Sequence, residues 1–454
     1  MNAGLTLGLG AMGLLAIGAA IVGERAVSRE ARKDRITVVY WEKWTGAEGQ
    51  AMQETVSAFN ASQDRIFVKY LSISGVDQKT MLATAGGNPP DVAGIWENQV
   101  FQFADAGALT DLTPLADATG VRREQYIPVY WDELSQPRPG GTARLWALPS
   151  TPASLALYVR PDLVPPEFRT PETFPKDLKG LDDLSDRITR KTKTGGLALA
   201  GFLPSNPGWW NWSWGPLFGG TLMKNGRPTV DTPEARAAFR WIKGYTDRYG
   251  SGSIQTFQSG FGAFASPQDP FMEGKVATEL NGPWKGEYIE LYKKGLNWFA
   301  VPFPYPEGRP DLADHAVVGQ DVLTIPRGAK HPREAFEFIR YVQRQDVMER
   351  LCKAHGKNSP LAWVSEAFFR THPNRAIRLF DALARRPQAI PIPKTGFHPQ
   401  LSNEIGNAFS EVTAGTKTPE QALADAQRRV DGLWDVYRTQ ILRETATPAR
   451  VAAR

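Results

Sequence analysis

ITVVYWEKWTG, residues 36–46, is the stretch on which the fold turns. Its first six residues, Ile36 to Trp41, are uncharged and mostly β-branched or aromatic, the composition of a buried strand. Glu42 to Gly46 reads as a loop. A helix is predicted next, over 50–60, where Met52, Val56 and Phe59 recur at helical spacing. The alternation continues. Ile66–Leu71 reads as a second strand, and Lys79–Ala85 as a helix stopped by Gly86, Gly87, Asn88, Pro89 and Pro90. Asp91–Ile95 reads as a third strand and Gln99–Ala106 as a third helix. Strands alternating with helices predict an α/β fold with a parallel sheet, whose ligands sit beyond the carboxyl ends of the strands. Those ends carry Trp41, Glu42 and Trp44 in one loop, and Trp96, Glu97, Asn98 and Gln99 in the other.

Working outward, 454 residues exceed one ordinary core, so two domains are expected. Helices are predicted over 233–248, 284–294 and 333–345, with a strand at Val322–Ile325. Thr418-Pro419-Glu420 has the form of a helix start, and that helix reads as far as about Tyr437. Between them lies GWWNWSWGPLFGG, with Trp209, Trp210, Trp212 and Trp214 in one short segment. As a strand it would put Trp210, Trp212 and Trp214 on one face; as a helix, Trp210 and Trp214. Core packing and a wall for a flat ligand are both open readings of it.

The N-terminus is of another kind. Residues 1–23 carry no charged side chain, and Leu5–Gly23 is apolar and small, as in a signal peptide or membrane anchor. Arg25, Arg29, Arg32, Lys33 and Arg35 follow it, although basic residues usually mark the cytoplasmic side. Gly8, Gly10 and Gly13 satisfy a dinucleotide fingerprint, but no strand precedes them. The formal charge of +5 is mild, and no basic block or finger spacing points to nucleic acid. The five histidines show no metal-ligand spacing. Neither a metal nor another cofactor is expected, and Cys352 has no partner for an internal disulfide.

Several segments, in order, carry a resemblance: ATAGGNPPDV at 83–92, LWALP at 145–149, FMEGK at 271–275, NGPW at 281–284, VGQDV at 318–322 and TPEQALADA at 418–426. With the strand-then-Trp opening, they resemble the extracellular sugar-binding proteins of ABC importers, the group that includes maltodextrin-binding proteins. The similarity runs from about Ile36 to Tyr437. It implies a two-lobed α/β periplasmic-binding-protein fold hinged by three chain crossings, near Pro152, Val318 and Ala382. Residues 36–152 plus 320–380 would form lobe 1, and 153–317 plus 385–442 lobe 2. Residues 1–35 would be the signal peptide or anchor, and 443–454 a tail. The implied protein is an extracytoplasmic monomer and not an enzyme. It would deliver a neutral sugar or oligosaccharide to membrane permease subunits.

A pyranose has apolar C–H faces and a rim of hydroxyls, so its binder needs aromatic faces with planar donors and acceptors. The two strand-end loops supply both. The resemblance adds Asn281 and Trp284 from the NGPW turn, Trp210 and Trp212 from the tryptophan segment, and Gly319, Gln320 and Asp321 at a crossing. Trp214 is expected to pack in its lobe. Catalysis is the competing class: glycoside hydrolysis needs two opposed carboxylates, for which Glu42, Glu97 and Asp321 are the candidates. A binder of a non-sugar solute is a third reading.

Overall fold

The computed structural model describes residues 34–138 and 141–446. The apolar leader and residues 447–454 of the expected tail lie outside them. β1 (Ile36–Glu42), α1 (Gly46–Ser62), β2 (Ile66–Ser72), α2 (Val76–Ala85), β3 (Val92–Trp96) and α3 (Glu97–Asp105) alternate as the sequence predicts. β1 runs parallel to β2 on one side and β3 on the other. Val38, Tyr40 and Glu42 are buried along it. α3 starts two residues earlier than predicted. Glu97, Asn98 and Gln99 therefore form a first helical turn rather than a loop, an arrangement that suits Glu97 because a carboxylate favours a helix N-terminus.

The chain continues through β4 (Leu148–Ser154) and β5 (Ala156–Val159), then α4 (Leu178–Ile188), α5 (Pro233–Tyr249) and α6 (Ser251–Ser259). β6 (Thr278–Asn281), α7 (Trp284–Tyr292), β7 (Phe299–Val301) and β8 (Val318–Thr324) follow. The last part is helical: α8 (Pro332–Val342), α9 (Gln345–Ala354), α10 (Ile377–Ala384), α11 (His398–Thr413) and α12 (Pro419–Ala446).

Two sheets of three or more strands result among the described residues, one per lobe, beside three two-stranded ones. The first has the order β2-β1-β3-β8-β4, the second β6-β5-β7. The expectation of a purely parallel sheet is corrected, because β8 runs antiparallel to both β3 and β4. A chain returning from the other lobe enters this sheet with no crossover helix to make it parallel. β8 also begins at Val318, four residues before the predicted strand. Gly319, Gln320 and Asp321 therefore lie within the sheet, with Asp321 opposite Trp96.

A single residue, Leu155, separates β4 of the first sheet from β5 of the second. The Leu155 N–H donates to Val317 C=O at 2.9 Å. The Ile390 N–H donates to Ala316 C=O at 2.8 Å, and Val318 N–H to Ile390 C=O at 3.0 Å. Three chain segments thus lie side by side where the sheets meet. Ala382, the expected third crossing, is instead inside α10.

The core is aromatic in both lobes. Tyr40 packs on Phe338 at 5.5 Å in the first; in the second, Trp214 packs on Trp241 and Phe303, which with Tyr245 surround Phe202. Trp214 is buried, as expected. Trp210, Asn211 and Trp212 follow neither a strand nor a full helix, since 211–213 is a single 3₁₀ turn leading into a short helix at Trp214–Leu217. Cys352 is fully buried, its Sγ 3.9 Å from Ser150 C=O, and burial pushes its thiol far up. α12 runs past Tyr437 and past residue 443, so the expected tail begins inside a helix. No Gly or Pro interrupts 438–446. Among the described residues, no helix is long and apolar enough to cross a membrane.

Candidate functional site

The carboxyl ends of β1 and β3 and the first half of β8 reach the same edge of the first sheet, facing the second lobe. Trp44 is fixed there by the Ser72 hydroxyl, which donates to its C=O at 2.6 Å. Trp44 meets Trp96 edge to face, with ring centroids 5.3 Å apart. From the other lobe come Trp209, Trp210 and Trp212 on their turn, and Trp284 at the start of α7. Trp210 and Trp284 lie 6.2 Å apart. These walls enclose a cavity of about 230 Å³ whose lining includes Trp96, Glu97, Asn98, Gly319, Gln320 and Asp321. A second cavity of similar size continues outward past Trp44, Glu48, Phe264 and Tyr288. It shares Trp96, Trp209, Trp210, Trp284 and Lys357 with the first.

The floor is charged but internally matched. Asp321 Oδ2 accepts Lys357 Nζ at 2.5 Å and the Thr151 hydroxyl at 2.8 Å, while Lys43 Nζ stands 3.2 Å from Oδ1. Burial alone would raise the Asp321 carboxyl, but the two lysines hold it below the usual range. Lys357 Nζ also lies 4.5 Å from the Trp44 ring centre and 5.6 Å from that of Trp284, within cation–π range. Glu97 behaves oppositely: burial, with Asp321 adding to it, pushes its carboxyl up to about 7. Burial likewise pushes His355, edge-on to Trp44, down to about 3.

Two glycines make room for these groups. A Cβ at Gly319 would stand 2.7 Å from Glu97 Oε1. One at Gly282 would stand 2.3 Å from the Trp284 ring, which folds back over the turn. Gly282 is thus required by the indole above it rather than by an unusual backbone angle.

Ten of the fourteen expected residues line one or both cavities: Trp44, Trp96, Glu97, Asn98, Trp210, Trp212, Trp284, Gly319, Gln320 and Asp321. Trp41, Glu42, Gln99 and Asn281 do not. Strand alternation turns Trp41 away, where it packs on the core. Glu42 is buried below, bonded to the Tyr40 hydroxyl and the Lys43 N–H. Gln99 lies further along α3. Asn281 is sealed within lobe 2, where its Oδ1 accepts the Gly282 N–H at 2.8 Å and its amide nitrogen bonds Glu279. Lys285, also fully buried, joins that group through Asp269 at 2.7 Å and Glu279 at 3.1 Å.

Lys357, Thr151, Trp209 and His398 line the inner cavity but were not expected. Trp209 was legible from its segment. Lys357 lies in Gly356-Lys357-Asn358, which has no period or motif to mark it. Among the described residues, no cluster of His, Cys, Asp and Glu is placed to hold a metal ion.

A profile described as "Bacterial extracellular solute-binding protein" matches residues 54–366, more than half of the chain. The chain belongs to this family. This solute-binding protein is 28% identical over 302 residues to the alpha-glucosides-binding periplasmic protein AglE of Rhizobium meliloti (strain 1021). That match covers 63% of this chain and spans 59% of the relative's length. Solved structures share the fold. CpMnBP1 with mannotriose bound superposes with a TM-score of 0.74 at 24% identity, covering 87% of this chain and all of that one. The sugar-binding protein MalE from Xanthomonas citri gives 0.71 at 20% identity, over 89% of this chain and 98% of that one. The two-lobed periplasmic-binding-protein architecture is therefore that of this solute-binding protein as well.

Proposed function

We propose that the chain is the substrate-binding component of an ABC importer, which captures a neutral sugar or oligosaccharide between its lobes and hands it to membrane permease subunits. One observation carries the reading. Indole faces from both lobes oppose each other across a floor of carboxylate, amide and ammonium groups, the combination a pyranose needs. AglE is named for alpha-glucosides and CpMnBP1 was solved with mannotriose, so both point to neutral oligosaccharides. The lobes are 36–152 plus 320–389 and 153–317 plus 391–442, with the third boundary moved from near Ala382 to Ile390. Closure bends the chain where Leu155, Val317 and Ile390 lie side by side. The protein acts as a monomer outside the cytoplasm, exported or anchored by residues 1–35.

One observation favours the catalytic alternative: Glu97 is pushed up while Asp321 is held down, the pattern of an acid beside an ionised partner. Against it, Asp321 is already engaged by Lys357, Thr151 and Lys43, which leaves it poorly placed to attack. Thermal melts against a panel of sugars, amino acids and peptides test the proposal. An α-glucoside or mannoside at a hundred times its dissociation constant should add about 2.7 kcal/mol of stability. A shift with amino acids or peptides alone would overturn the sugar reading, and a new product in the sugar samples would favour the enzyme.

A further inference from the structure

A larger cavity, of about 550 Å³, lies in lobe 2 behind the tryptophan segment. Its volume is within the range of small-molecule sites. Its lining contains no Asp, Glu, Lys or Arg, in contrast to the cleft. An ion entering it would lose hydration with no charged partner, so the cavity selects against charge. Hydroxyls and amides are plentiful there, from Ser205, Asn211, Thr246, Gln255, Gln258 and Thr413, while Ile242, Ile254 and Phe409 give it apolar surface. Some of the polar groups are engaged: Gln258 Nε2 donates to Ser205 C=O at 3.1 Å, and Gln258 Oε1 accepts the Ser205 hydroxyl at 3.2 Å. Asn211 is different. Its Oδ1 is buried with no hydrogen-bond partner among the described residues, a state that costs free energy until a donor arrives.

The same short segment builds the walls of both spaces. Leu203, Pro204, Ser205, Pro207, Gly208 and Asn211 face this cavity, whereas Trp209, Trp210 and Trp212 face the cleft. A molecule pressed against Gly208 and Asn211 therefore bears on the backbone that aims the cleft indoles.

We propose that this cavity is a second binding site, for a small neutral polyhydroxylated molecule, and that its occupancy changes the affinity of the cleft through residues 208–211. Binding linkage makes the effect reciprocal. The second site stands apart from the cleft reading, whereas the coupling rests on it.

The test titrates the full chain with glucose, trehalose and myo-inositol, following tryptophan emission and calorimetric stoichiometry. Gly252→Trp places an indole at the cavity: Gly252 lines it on α6, and a Cβ there meets nothing within 4 Å. Gln258→Ala is a second variant that removes bonds on the same wall without adding bulk. At least one probe is expected to bind the native chain and Trp284→Ala at a site that both cavity variants lose or weaken. Filling the cavity should shift cleft affinity by roughly fivefold or more. Isotherms identical among the native chain, Gly252→Trp and Gln258→Ala would overturn the proposal. Unchanged cleft binding in Trp284→Ala would count against the cleft assignment alone.

Discussion

Lys357 and Lys285 are both buried lysines tied to carboxylates, one on the first-lobe wall of the cleft and one behind the second. Lys357 shares Asp321 with Lys43 and lines both cavities. Lys285 is closed off with Asp269 and Glu279, directly after Trp284. Asp269 also accepts the Phe271 and Met272 N–H groups, so this ion cluster pins the FMEGK segment to the turn that presents the indole. Similar charge chemistry thus has two uses. Where the ammonium reaches open space it can meet a ligand; where it does not, it fixes backbone.

Breaking the sealed cluster should cost the most. Lys285→Met leaves Asp269 and Glu279 buried without their cation, and a loss of about 3–5 kcal/mol of stability is expected by chemical denaturation. A native-like midpoint would erase the distinction between the two clusters.

Trp284→Ala probes the surface that the sealed cluster holds in place. A central stacked indole is worth about 2–4 kcal/mol of binding, so sugar affinity should collapse while the ligand-free melting temperature stays close to native. Early unfolding with intact affinity would make Trp284 a part of the lobe-2 core and move the stacking role to Trp210 or Trp212.

The smallest effect sharpens the open side. Glu97 titrates near 7 in the folded chain against 4.5 as a free side chain. The folded state therefore holds a proton that the unfolded state has released, and this contribution to stability fades as pH rises from about 4.5 to about 7. Glu97→Gln should flatten that slope and gain on the order of 1 kcal/mol above pH 7, read from melts across the range. Glu287, also pushed up to about 7, is present in both chains, so the difference between them isolates Glu97. An unchanged slope would place the Glu97 carboxyl in water.

The first lobe was legible where one period governed the residues. Ile36–Trp41 and Val92–Ile95 are apolar runs between turn formers, and they fold as such. β4 was hidden by its composition. Leu148–Ser154 is buried throughout yet contains Pro149, Pro152, Ser150 and Thr151. It is the edge strand of its sheet, where a missing N–H is tolerated. The second-lobe strands β5, β6 and β7 are too short for alternation to register. At the site, the tryptophans were visible because indole is rare and clustered. Glu42 and Asn281 misled because a polar residue beside a strand end looks the same whether it faces a cleft or buried polar partners, Tyr40 and Lys43 for the one and Glu279 for the other. Lys357 escaped because its place is set by the fold and by no local pattern.

The lone thiol of this chain has a practical meaning. Cys352 is sealed under β4 and its thiolate form is strongly disfavoured, so alkylating dyes have nothing native to attack. A cysteine introduced on each rim of the cleft would take a fluorophore pair against a silent background. The fold is in that sense a ready chassis for an optical gauge of its own ligand, and it has no disulfide that a reducing buffer could break.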